Sequence, residues 1–159
     1  MKTSNEVFLL IHDIRSAHNV GSMFRTADAA GVAKIFLSGS TPAPIDRFGR
    51  HVKEIAKVAL GAEQTLPWER RLDALELITD LKKQKVQIVA LEQAENSIDY
   101  KKLEIKQPTL LIVGNEVDGL PKEILEACDV VAEIPMKGEK ESLNVAVSLG
   151  VALFRMLNI

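Results

Sequence analysis

Cysteine is nearly absent: Cys128 stands alone in 159 residues, so no internal disulfide can form, and no neighbouring Cys or His gives it metal-ligand spacing. A buried thiol is the expectation. No apolar run approaches the roughly 20 residues that a membrane span needs, and residues 1–6 hold neither a basic n-region nor an apolar h-region. The chain is therefore expected to be cytoplasmic. An excess of cations is missing too. With 20 Lys and Arg against 22 Asp and Glu, the formal net charge of -2 argues against gripping nucleic acid by overall electrostatics. The dinucleotide pattern G-x-G-x-x-G and the Walker phosphate loop are absent, which leaves a Rossmann dehydrogenase or a P-loop enzyme unsupported. His12, His18 and His51 form no ligand constellation, and Asp13 beside His12 lacks an evident nucleophile, so neither a metal site nor a hydrolytic triad is expected.

What is present suits one globular domain over residues 1–159, with 47% hydrophobic and 26% charged residues. No repeat, low-complexity tract or interdomain linker interrupts it. Five apolar runs, at 7–11, 35–37, 86–91, 109–113 and 130–134, read as strands. Helical patterns lie between them. Asn19 can cap a helix to Ala30 that Gly31 ends; Pro67 fits the first turn of a helix to about Lys85; Pro121 opens a short helix to Cys128, and Asn144 opens the last one, to Leu157. Strands rich in Ile, Val and Leu that alternate with helices predict an α/β fold, a mostly parallel sheet with helices on both faces. The segment 38–49 is the longest expected loop.

Charge is unevenly spread. Residues 1–60 carry eight Lys and Arg against five Asp and Glu, and the densest cluster is Arg47, Arg50, His51, Lys53 and Lys57. It reads either as a solvated helix face or as a surface for phosphates.

A parallel sheet binds ligands at the carboxyl ends of its strands, which directs attention to the loops after Leu91, Val113 and Ile134. The second begins Gly114-Asn115-Glu116 and closes Gly119-Leu120-Pro121; a glycine there permits positive φ or close approach of the backbone to a ligand. The third runs from Ile134 through Met136 and Gly138 into Ser142-Leu143-Asn144 at a helix start, where side-chain oxygens and free N–H groups converge. Simple helix capping explains Ser142 or Asn144 equally well. A helical Arg25 is by itself most often a solvated charge.

Taken together, Asn19-x-Gly21-x-x-x-Arg25-Thr26-Ala27, Gly114-x-Glu116-x-x-Gly119-Leu120, and Ile134-Pro135-Met136 followed by Ser142-Leu143-Asn144 resemble the three motifs of the SpoU (TrmH) family, in the SPOUT class of methyltransferases. The resemblance covers essentially the whole chain. It implies a C-terminal trefoil knot and S-adenosyl-L-methionine as cofactor, held around Leu91, Gly114, Ile134, Met136 and Leu143 without a metal. It also implies methylation of a ribose 2′-hydroxyl in RNA, with tRNA favoured over ribosomal RNA. Arg25 matches the residue assigned to activating the hydroxyl, while Asn19, Glu116, Ser142 and Asn144 match positions that arrange the site. Larger members carry an RNA-binding extension, for which this chain is expected to have no counterpart. RNA would then be held by the domain itself through Arg47, Arg50, Lys53 and Lys57. A homodimer is implied as well: the last helix is apolar on more sides than one sheet face requires, although full burial within one chain would explain that equally. The rivals are a non-catalytic RNA- or nucleotide-binding α/β module and a methyltransferase acting on a base.

Overall fold

The computed structural model describes residues 6–159; residues 1–5, on which the leader reading partly rests, lie outside the described residues. Seven parallel strands form one sheet in the order β3-β2-β1-β6-β4-β7-β5. They are β1 (Val7–His12), β2 (Lys34–Ser38), β3 (Trp68–Arg70), β4 (Gln87–Leu91), β5 (Ile98–Asp99), β6 (Thr109–Val113) and β7 (Val130–Glu133). The helices are α1 (Ala17–Ala30), α2 (Lys53–Ala59), α3 (Ala62–Thr65), α4 (Ala74–Lys83), α5 (Lys122–Ala127) and α6 (Val145–Leu157). This is the expected mostly parallel α/β sheet covered on both faces.

Strand periodicity divides the interior into two cores. Val7, Leu9, Ile11, Ile35, Leu37, Leu111 and Val113 face α1, α2, α3 and α6. Phe8, Leu10, Phe36, Leu110 and Ile112 point the other way, towards α4 and α5. Because both faces are covered, Thr109–Val113 is buried throughout and apolar after Thr109, whose hydroxyl is satisfied by the Gln107 carbonyl. Three residues inside the Asn19 to Arg25 motif belong to this packing: Val20, Met23 and Phe24 are fully buried. Truncating a buried Phe to Ala costs about 3–5 kcal/mol, a large part of the ~5–15 kcal/mol that holds a typical domain together. Gly21 is structural for a related reason. A Cβ there would lie 2.7 Å from the Ile55 carbonyl oxygen, so glycine lets α1 approach α2.

Four local expectations are corrected. α1 is capped by Ser16, whose hydroxyl accepts from the Asn19 N–H; Asn19 sits inside the first turn and its side chain is free for other partners. Pro67 opens no helix. It leads into the edge strand β3, and α4 starts later, where the Asp73 carboxylate accepts from the N–H groups of Leu75 and Glu76. The short strands β3 and β5 escaped the apolar-run search because their side chains are half-buried or exposed. Cys128 is only partly buried. Burial still pushes its thiol up to about 12, so it stays protonated at neutral pH.

Candidate active site

All seven strands run the same way, so the loops after β1, β4, β6 and β7 gather at one end of the sheet. They enclose a cleft of about 540 Å³, within the ~300–1,000 Å³ usual for small-molecule sites. Leu91, Gly114, Ile134, Met136 and Leu143 line it, together with Asn19, Glu116, Ser142 and Asn144. Nine of the ten residues expected at the cofactor or catalytic positions are thus brought together from four segments. Arg25 is the exception. It lies on the exposed side of α1, outside the cleft lining, and the described residues offer it no hydrogen bond or ion pair.

The polar edge of the cleft is a connected strut. The Glu116 carboxylate accepts from the N–H groups of Ser16 (3.1 Å) and Arg15 (3.3 Å) and from Asn19 Nδ2 (3.4 Å). Asn144 Nδ2 then donates to Asn19 Oδ1 at 3.3 Å, while Asn144 Oδ1 caps α6 through the N–H groups of Ala146 and Val147. Asn144 therefore does both things the sequence left open: it caps the helix and ties that helix to α1. Partial burial alone would raise the Glu116 pKa. The surrounding donors, its own N–H and those of Ser16 and Arg15 before the Asn19 amide, outweigh this and hold it below the ordinary value.

Gly114 lines the cleft and is also needed for packing. A Cβ there would meet Leu120 Cδ2 at 2.6 Å and Cγ at 2.7 Å, so the glycine lets the loop after β6 fold back on itself. Glu92 and Gln93, whose segment also resembles the family but to which the sequence assigned no role, hold the loops in place. Glu92 accepts from the Leu120 N–H at 3.0 Å, and Gln93 Nε2 donates to the Glu141 carbonyl at 2.8 Å. Both follow Leu91 directly, and the strand end was their available signal. That Gln93 bond is the single hydrogen bond made by the backbone of residues 135–143 among the described residues. The loop thus keeps backbone donors and acceptors free beside the apolar side chains of Ile134, Met136 and Leu143, a combination suited to reading the edge of a heterocyclic base.

A Ser–His–Asp arrangement does occur nearby. His12 Nδ1 lies 2.7 Å from Ser38 Oγ, and its Nε2 lies 3.3 Å from Asp13 Oδ2. Ser38 is completely buried, out of reach of any substrate, so the arrangement ties β1 to β2. Burial lowers the His12 pKa, with Asp13 pulling weakly the other way. No group of three or more potential metal ligands occurs among the described residues.

Arg47, Arg50, Lys53 and Lys57 are all exposed, on the loop after β2 and the following α2. They lie at the same end of the sheet as the cleft but do not line it.

The sequence profile of the SpoU rRNA Methylase family matches residues 6–154. The chain is 36% identical over 149 residues to a 23S rRNA (guanosine-2′-O-)-methyltransferase of Xylella fastidiosa, covering 93% of this chain and 57% of the relative. It is 28% identical over 153 residues to a tRNA (guanosine(18)-2′-O)-methyltransferase of Aquifex aeolicus, covering 96% of this chain and 69% of that one. The AdoMet-bound rRNA methyltransferase from Sinorhizobium meliloti superposes with a TM-score of 0.87 at 32% identity, over 98% of this chain and 57% of that one. The chain thus spans a little over half the length of several relatives it matches.

Proposed function

Because this chain belongs to the SpoU rRNA methylase family, we propose that it is an S-adenosyl-L-methionine-dependent RNA methyltransferase acting on a ribose 2′-hydroxyl. The observation that carries this reading is the strut Asn144–Asn19–Glu116, which draws three separate loops together at the edge of the cleft.

The residues present fit the cofactor. Leu91, Ile134, Met136 and Leu143 give an apolar wall within a cleft of suitable size, and the free backbone of residues 135–143 gives directional contacts. When bound, the cofactor supplies an electrophilic methyl group on a sulfonium. The work left to the chain is positioning the 2′-oxygen and stabilising charge as its proton departs. Asn19 and Asn144 hold the floor on which the ribose would rest, and Glu116 fixes Asn19. Arg25 is assigned to the substrate side. A guanidinium stays protonated, so its part is to fix a phosphate and stabilise the developing alkoxide rather than to act as a base.

Arg25 needs a cleft to serve, and the proposed one belongs to a second copy of the chain. Val147, Val151 and Phe154 are exposed at helical spacing on α6. α6 packs on α1 where Thr26, the neighbour of Arg25, approaches Gly150. A homodimer through this face would cover the apolar side chains and carry Arg25 towards the partner's cofactor. The return of the chain from β7, beyond β4, to pack α6 on α1 is in keeping with the threaded C-terminal segment of the family.

The test supplies S-adenosyl-L-methionine labelled in its methyl group, with undermethylated tRNA and, separately, ribosomal RNA. Nucleoside digestion should return a 2′-O-methylated nucleoside, with tRNA the first class proposed and ribosomal RNA the second. Label on a base would replace the reading with base methylation, and cofactor binding without transfer to any RNA would leave a non-catalytic module.

A further inference from the structure

Phe48 is the most exposed Phe, Tyr or Trp ring among the described residues, at 67%, and the guanidiniums of two arginines lie over it. The Arg47 Cζ lies 4.9 Å and the Arg50 Cζ 5.0 Å from the ring centroid. The loop that carries them is held by Asp46, whose Oδ1 accepts from the N–H groups of Phe48 (2.9 Å) and Arg50 (3.0 Å), and whose Oδ2 accepts from Arg50 Nε (3.1 Å). A second pair of backbone bonds, Asp46 N–H to the Arg50 carbonyl and Gly49 N–H to the Asp46 carbonyl, closes the turn. The ring is therefore presented in a fixed position at little entropic cost. Nothing in the core uses it.

We propose that Phe48, with Arg47 and Arg50, is a stacking platform for an unpaired RNA base a few nucleotides from the one seated at the cleft. The proposal rests on the RNA reading above and names the form of RNA it requires, a single-stranded or looped segment. Three observations favour that occupant. The Asp46 carboxylate is consumed by the turn, which leaves exposed Arg47, Lys53 and Lys57 and the outer nitrogens of Arg50 to meet phosphates. A planar apolar ring with guanidinium planes stacked over it, either of which can carry a base once the flexible arginine side chains turn to phosphates, matches a polyanion that also offers aromatic faces. The loop leaves β2, two strands from β6 and three from β4, at the end of the sheet that holds the cleft. At ~4.8 Å per strand the base of this loop is roughly 10–14 Å from the strand ends that carry the cleft, a scale of a few nucleotides. Bases inside a duplex are already stacked on their neighbours, so the platform serves unpaired ones.

The experiment measures binding of the full chain to a fluorescent 12-nucleotide single-stranded RNA containing 2-aminopurine and to a duplex of the same sequence, at one salt concentration. Phe48→Ala and Phe48→Leu should weaken single-strand binding by about 5- to 150-fold and abolish the 2-aminopurine quench. Phe48→Tyr should keep both within twofold, and duplex binding should shift less than twofold in every variant. Melting temperature and cofactor affinity are followed as folding controls. Equal single-strand affinity in wild type and Phe48→Leu overturns the platform while leaving the RNA reading intact. A change in dimerisation without a change in RNA affinity overturns it in favour of a protein contact. Wild-type protein that binds the cofactor but neither RNA overturns the platform and the RNA reading together.

Discussion

Replacing Glu116 with Gln tests the strut at its most connected atom. The carboxylate takes three donors at 3.1, 3.3 and 3.4 Å. Glutamine keeps one acceptor oxygen but turns an NH₂ group towards an N–H donor, so at least one bond is lost and one repulsion introduced. A bond to a charged group can contribute ~1.5–3 kcal/mol when well buried, but these are long and solvent-accessible, which brings the expected loss to about 0.5–1.5 kcal/mol. For a domain of this size that lowers the melting temperature by roughly 1–6 °C. The pH dependence is more diagnostic than the size. The folded pKa of Glu116 lies below its ordinary value of 4.5. Its stabilisation is therefore fully present above the unfolded value and is lost as pH falls through the lower folded value. Calorimetry of wild type and Glu116→Gln should show a gap at pH 7 that holds down to about pH 5 and closes below about pH 4. A gap that persists unchanged at pH 3, or none at pH 7, would refute the assignment of the carboxylate to this strut.

Arg25→Ala should leave cofactor affinity within about twofold by calorimetry while lowering kcat at least ~100-fold, as expected for a group whose contribution is made in the transition state; near-normal kcat would remove Arg25 from the catalytic set. Gly114→Ala should destabilise the domain by ~1–3 kcal/mol and weaken cofactor binding, because the new Cβ displaces Leu120 and with it the loop; unchanged melting and affinity would show that the loop yields freely. Refolding Arg25→Ala together with a cofactor-site variant, Gly114→Val, should restore about a quarter of wild-type activity, since half the dimers are mixed and each has one intact composite site of two; recovery near zero, with mixed dimers confirmed by mass, would place each site within one chain.

Much of the fold is legible in the chain because a doubly covered parallel sheet writes itself as short uninterrupted apolar runs, and β1, β2, β4, β6 and β7 all appear that way. Edge strands do not. β3, Trp68–Arg70, is three residues long with its side chains half-buried or exposed, so the preceding Pro67 looked like a helix start when it is an entry to the sheet edge. The first helix shows the limit of local capping rules. Ser16 and Asn19 are both good caps, and their order is decided by where the chain leaves β1. The side chain of Asn19 is thereby released to bond Glu116 and Asn144, 97 and 125 residues away.

By itself the sequence determined the fold class and the loops to search, because apolar period and turn chemistry are local properties of the chain; the individual residues expected in the cleft came from the resemblance to the SpoU motifs. Tertiary structure alone decided what those residues do for one another. Gly114 leaves room for Leu120 as well as lining the cleft, His12 and Ser38 pair in the interior instead of forming a reactive centre, and Phe48 stands out in solvent beneath two arginine guanidiniums. Each of these depends on which atoms meet after the chain has turned back on itself, and no spacing along the sequence encodes that distance.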